Sequence, residues 1–208
     1  MTTLFAERAL LPQGWAARVR LVLDPAGRLA SVETDSAPQP GDDHLGSRVL
    51  LPAPCNLHSH AFQRAMAGMT EYRSARQDDF WSWRDLMYRF LDVLTPEEIE
   101  AIAALVYVEM QEAGYAAVGE FHYVHHQPGG AAYDNIAELS DRIYAAAGAT
   151  GIGLTHLPVL YTYGGADREP LQGGQLRFGC DPDRFDELHA AAGASLTSRP
   201  ADSRIGVA

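Results

Sequence analysis

The chain has 208 residues, 47% of them hydrophobic, enough to bury a core and long enough for between one and two average domains. With 16 basic residues against 27 acidic, the net charge is −11 and no stripe of Lys and Arg forms, which argues against nucleic acid or an anionic membrane as a partner. The longest apolar run, Ile102 to Val108, is too short to span a bilayer, and two cysteines far apart, Cys55 and Cys180, give no disulfide framework and point to a reducing cytoplasm.

Residues 1 to 13 lack the basic start and long apolar core of a secretory signal. Two alternating segments, Ala17–Leu23 and Arg28–Glu33, flank the turn sequence Asp24-Pro25-Ala26-Gly27 and predict a β-hairpin. A polar linker rich in Pro, Gly and Asp runs from Ser36 to Gly46. The apolar run Val49 to Pro54 then leads into Asn56-Leu57-His58-Ser59-His60, read as a buried strand.

His58 and His60 make the sharpest chemical statement in the chain. Residues i and i+2 of a strand point to the same side, so both imidazoles converge at the strand's C-terminal end while Ser59 faces away. That is how a strand offers two nitrogens to one zinc. About 0.3 such pairs are expected by chance from this many histidines, so the apolar strand before them and the polar loop after them carry the weight. Two ligands do not hold zinc at catalytic strength, and the others must come from elsewhere. Cys55, beside this strand, reads as a small buried apolar residue.

Beyond residue 60 the grammar alternates strands and helices. Thr95-Pro96-Glu97-Glu98 is a capping box with Pro at the first helical position, and Ile99, Ile102, Val106, Met110 and Ala113 mark one face of a helix ended by Gly114. A strand (116–123), a helix (about 135–149), a strand (152–160), a helix (about 181–192) and a last strand (204–208) follow. This order predicts an α/β protein, a parallel barrel or an open sheet. A complete eight-stranded barrel takes about 250 residues, so only half of one fits after residue 48, and the chain is expected to be the N-terminal part of a longer enzyme.

Three strings, Leu51 to Arg64, Phe80-Trp81-Ser82-Trp83-Arg84-Asp85-Leu86-Met87-Tyr88 and Gly119-Glu120-Phe121-His122-Tyr123-Val124-His125-His126, resemble the amidohydrolase superfamily and, within it, the N-formimino-L-glutamate deiminases. The resemblance runs along essentially the whole chain and covers the first half of such an enzyme. It implies a partial TIM-like (β/α)8 barrel, its first four strands in residues 49–208, preceded by a β segment, residues 1–48, of a composite β-sandwich. It also implies one Zn2+ with His58 and His60 as its first two ligands, and Gln63, Arg84 and Tyr123 as substrate-binding residues. The activity implied is zinc-dependent hydrolysis of N-formimino-L-glutamate to N-formyl-L-glutamate and ammonia, in a homodimer. The remaining ligands and the catalytic acid and base are expected beyond Ala208, so the isolated chain is expected to be inactive.

Each carried-over residue has a physical rationale and a rival. Arg84, in what reads as a loop after two tryptophans, suits bidentate binding of a carboxylate, unless it pairs with Asp85 or Asp78. Residues 61–90 hold five arginines and four acids, a net +1 in a chain otherwise at −12, which keeps positive charge where an acid is to bind. Gln63 and Tyr123 suit hydrogen bonding to a ligand, and from position alone serve equally well as a helix-surface Gln and a core-edge Tyr. Trp81 and Trp83 read as pocket walls or as packing under a loop. His122, His125 and His126 are not assigned to metal, and His156 reads as a satisfied core histidine. Another amidohydrolase acting on guanine or cytosine shares the histidine pair but has no use for Arg84; an inactive fragment is the further alternative.

Overall fold

The computed structural model describes residues 2–72, 78–196 and 202–208, which fall into two compact units, Met1–Ala53 and Pro54–Ala208. The first is a sheet in the order β3-β2-β1-β4, with β5 also on β1. Strands β1 (Thr2–Leu11), β2 (Gly14–Leu23) and β3 (Leu29–Glu33) are antiparallel, whereas β4 (Asp43–His44) and β5 (Val49–Leu50) run parallel to β1. The hairpin expected across Asp24–Gly27 is present. Asp24 accepts from the backbone N–H of Ala26 and Arg28 at 2.9 Å each, and Gly27 takes the left-handed backbone the turn needs (φ +77°).

Two features of this unit differ from the sequence reading. β1 carries no mark in the sequence because Ala6-Glu7-Arg8-Ala9-Leu10-Leu11 is a run of helix formers, and pairing with β2 overrides that propensity. The run from Val49 is two strands rather than one: Pro52 and Pro54 cannot donate to a ladder, so Val49–Leu50 joins β1 and the histidine segment starts a second sheet at Cys55.

That second sheet is parallel, in the order β6-β7-β8-β9, built from β6 (Cys55–Ser59), β7 (Ala117–His122), β8 (Gly153–Pro158) and β9 (Arg204–Ile205). After β6 come a 3-10 helix (Ala61–Met66), α1 (Phe80–Leu91) and α2 (Pro96–Glu112); after β7 comes α3 (Glu138–Thr150); after β8 come a 3-10 helix (Gly173–Arg177) and α4 (Pro182–Leu196). Thr95 caps α2 with Glu98 in reciprocal hydrogen bonds, as the capping box predicts. The face α2 buries is Ile99, Ala103 and Tyr107, with the expected Ile102, Val106 and Met110 at its margin; the small Ala103 lets the helix approach its neighbours closely.

Arg84 lies on a helix, not in a loop. Asp79 accepts from the N–H of Trp81 and Ser82, Ser82 returns a bond to the Asp79 N–H, and no Gly or Pro interrupts residues 80–91. Cys55 is exposed rather than buried, because it starts the outermost strand of its sheet, where Leu57 is 78% exposed.

Candidate functional site

The two histidines do meet. His58 Nε2 and His60 Nε2 lie 3.0 Å apart, with the rings edge to face and their centroids 4.7 Å apart. The pairing of β6 with β7 shifts register between Asn56 and Ser59, and the Asn56 carboxamide oxygen accepts from His58 N–H at 3.1 Å, so a local irregularity aims the imidazoles. Phe121 on β7 orients both rings. Its ring stacks on His58 at 4.5 Å, and its carbonyl receives His60 Nδ1–H at 2.9 Å. That bond fixes the His60 tautomer and leaves the Nε2 lone pair free. Burial, and secondarily the neighbouring His58, lower the His60 pKa and keep the ring neutral.

These are the conditions of a metal ligand pair. Two imidazole nitrogens about 2.0–2.1 Å from a tetrahedral zinc stand roughly 3.3 Å apart, close to the separation seen. Among the described residues no group of three or more His, Cys, Asp or Glu side chains gathers to hold a metal ion, so the pair supplies two donors and no more.

Glu120, which sequence reasoning passed over, braces the motif from behind. It is buried on β7 opposite Ser59, and its carboxylate accepts from Ala61 N–H at 2.7 Å, with the side chains of Ser59 and Tyr107 against it. Burial pushes its pKa up. The signal was the alternation of buried Val118, Glu120 and His122 along one strand, which puts a carboxyl on an inward face.

His60, Gln63, Arg84 and Tyr123 all line one cavity of about 600 Å3, together with Trp83, Met87, Tyr88, Phe121, Tyr161 and Phe178. Gln63 Nε2 donates to the Tyr123 phenol at 2.8 Å, and burial raises the phenol pKa, so the hydroxyl keeps its proton. The Arg84 guanidinium lies 4.4 Å over the ring of Trp81 and 5.4 Å from that of Tyr88. Its Nε is buried without a partner, and among the described residues neither Asp85 nor Asp78 forms an ion pair with it. The other described cations of this region are spent elsewhere: Arg64 is held by two bonds to Glu109, and Arg89 is exposed. Arg73 and Arg76 lie outside the described residues. Trp83 lines the cavity, whereas Trp81 serves as the platform for Arg84.

His122, His125, His126 and His156 do not line this cavity. His125 Nε2 bonds Val159 O at 3.0 Å, His126 Nε2 bonds Gly179 O at 2.8 Å, and His156 Nε2 meets Ser140 Oγ at 3.0 Å. They hold loops and helix to the sheet, although one ring nitrogen of each, and Nε2 of His122, is buried without a partner, so His156 is only half satisfied.

Residues 1–46 match the family model described as "Formimidoylglutamate deiminase HutF, N-terminal domain". The chain is 54% identical over 178 residues to a formimidoylglutamate deiminase of Pseudomonas aeruginosa, a match covering 86% of this chain and 39% of that protein. It matches the N-terminal part of the formimidoylglutamate deiminases. The crystal structure of an amidohydrolase from Brucella melitensis superposes over 100% of this chain and 45% of its own, at 43% identity and a TM-score of 0.91. The zinc complex of the atrazine chlorohydrolase TrzN from Arthrobacter aurescens (18% identity, TM-score 0.74, 100% and 46% of the two chains) and the guanine deaminase of C. acetobutylicum (12%, 0.65, 99% and 46%) share the fold. The chain thus has a mixed α/β fold of amidohydrolase type and spans about two-fifths of the length of the curated relative. No helix among the described residues is long and apolar enough to cross a membrane.

Proposed function

We propose that this chain supplies the zinc-side and carboxylate-side walls of a formimidoylglutamate deiminase active site. The observation that carries the reading is the single cavity into which His60, Gln63, Arg84 and Tyr123 converge from just past the end of β6, the 3-10 helix beyond it, α1 and just past the end of β7. In this reading β6 to β9 are the first four strands of a (β/α)8 barrel and the N-terminal sheet belongs to a composite β-sandwich, with the boundary at Ala53 rather than at residue 48 because Val49–Leu50 pairs with β1. The enzyme is a cytoplasmic homodimer that acts on a small molecule and binds neither nucleic acid nor membrane.

His58 and His60 would hold Zn2+ through Nε2, with further ligands from outside the described residues. A bound zinc supplies hydroxide from water near neutral pH. The protein's own residues do the rest of what can be assigned here. Arg84, parked on Trp81 with an unpaired Nε, presents a planar fork to one carboxylate of the substrate. The Tyr123 hydroxyl, its oxygen occupied by the Gln63 amide, directs its proton toward the bound ligand. Phe121, Met87, Tyr161 and Phe178 give the cavity apolar walls beside these polar groups.

Ammonia release by the full-length protein that carries this sequence tests the proposal. N-formimino-L-glutamate should be hydrolysed, guanine and cytosine should not, and about one zinc per subunit should be lost in the His58→Ala/His60→Ala double variant. Turnover of a nucleobase with formiminoglutamate inert, or unchanged zinc in the double variant, contradicts it.

A further inference from the structure

Arg177, the last residue of the second 3-10 helix, is 0% exposed. Its Nε donates to His126 O at 2.8 Å, one terminal nitrogen donates to the carbonyls of Leu91 and of Leu94 (3.0 Å for the latter), and the other reaches Tyr133 Oη at 3.4 Å. Its own carbonyl receives the N–H of His125 and His126 at 2.8 and 3.0 Å. None of these partners is a carboxylate. A guanidinium buried with no carboxylate bonded to it is costly, and the nearby charge of Asp92 and the carbonyls at the C-terminal end of α1, the negative end of that helix, offset only part of the cost. An apolar side chain of similar volume would fill the space with less penalty. What the arginine adds is direction, because it is bonded at once to three separate segments.

Two of the segments Arg177 bonds, α1 and the end of β7, line the cavity together with its own. α1 brings Trp83, Arg84, Met87 and Tyr88; the end of β7 brings Tyr123, three residues before His126; and Phe178 directly follows Arg177. Phe178 meets Tyr123 edge to face at 4.7 Å. A Cβ on Gly174 would lie 2.6 Å from the Tyr88 ring, so the 3-10 helix that carries Arg177 sits hard against α1 with no slack. Leu91 is seven residues beyond Arg84, about 10 Å along the helix, so the staple at Leu91 and Leu94 sets where Arg84 stands relative to Tyr123.

We infer that Arg177 is a positioning residue for substrate binding, locking the helix that carries Arg84 to the strand end that carries Tyr123; this rests on the proposed role of Arg84. It touches no substrate and acts through Arg84. Misplacement by an ångström of a group that orients substrate is enough to cost one to two orders of magnitude.

The test is a double-mutant cycle in the full-length protein, reading kcat, KM for N-formimino-L-glutamate, zinc content and thermal melting. Arg177→Met should raise KM by roughly tenfold while kcat falls by less than about threefold and zinc is retained. Arg177→Lys, which keeps the charge and one or two of the bonds, should lie between. In Arg84→Met/Arg177→Met, KM should be no worse than in Arg84→Met alone, because Arg177 then has nothing to position. Multiplicative KM effects in the double variant, loss of zinc in Arg177→Met, or failure of both Arg177 variants to fold would each overturn the inference and leave Arg177 a folding residue. A parent-like KM in Arg84→Met would instead defeat the reading of Arg84, and this inference with it.

Discussion

Gln63 and Tyr123, 60 positions apart, are joined by a 2.8 Å hydrogen bond in which the amide donates to the phenol oxygen. The phenol proton is left facing Met87 Sδ at 3.8 Å, a weak acceptor, and the open cavity. Tyr123→Phe should therefore raise KM for N-formimino-L-glutamate by up to about tenfold, the worth of a neutral hydrogen bond of roughly 0.5–1.5 kcal/mol, with zinc content unchanged. Steady-state kinetics and metal analysis of the purified variant check this together.

Arg84 should behave as a clamp rather than as a charge. Arg84→Lys keeps the cation but loses the planar fork and the stacking on Trp81, and Arg84→Met loses both, so kcat/KM should fall in that order, by roughly 1.5–3 kcal/mol for the second. Equal kcat/KM in the Met variant and the parent would make Arg84 a surface residue.

Glu120 should matter through the backbone it holds. Glu120→Gln keeps an acceptor for the Ala61 N–H, whereas Glu120→Ala leaves that N–H unpaired in a buried site and loosens the chain next to His60. Zinc affinity, measured by chelator competition, should drop by roughly 10–100-fold in the Ala variant and much less in the Gln variant.

The buried histidines make the fold acid-sensitive. Burial holds His125 down to about 4 and His156 to about 3, so each resists protonation in the folded state while the unfolded chain takes up a proton near the ordinary 6.5. A group depressed in this way stabilises the fold above pH 6.5, and the contribution is lost as pH falls toward the folded value. Between pH 6.5 and about 4 the two together should remove roughly 2–3 kcal/mol per pH unit as an upper bound. Denaturant midpoints at several pH values measure the slope, to which buried His122, also held well below the ordinary value, adds; His156→Gln, which retains a partner for Ser140, should lower it by up to about 1.4 kcal/mol per pH unit.

How far the sequence carried depended on whether a signal was local. The hairpin at Asp24–Gly27 and the capping box at Thr95 were legible because turn and cap chemistry sit within four residues. The histidine pair was legible from its i, i+2 spacing, although an irregularity at the end of β6, and not regular alternation alone, brings the rings together. β1 was not, since its helix-forming residues are strands only by virtue of β2. The helix under Arg84 was missed because its start signal is Asp79 with Ser82, a cap with Ser where Glu or Gln is the stronger cue. For Glu120 alternation marked an inward carboxyl but not its partner, the Ala61 N–H 59 residues away, and Arg177 carried no signal because it is defined by the distant backbone groups of Leu91, Leu94 and His126.

A crystal structure of the full-length protein with zinc and N-formyl-L-glutamate would test the central claim most directly. It should show the metal on Nε2 of both His58 and His60, and a ligand carboxylate bonded to two nitrogens of Arg84 while Tyr123 donates to the ligand. A ligand seated with no carboxylate on Arg84, or a metal bound without His58 and His60, would contradict it.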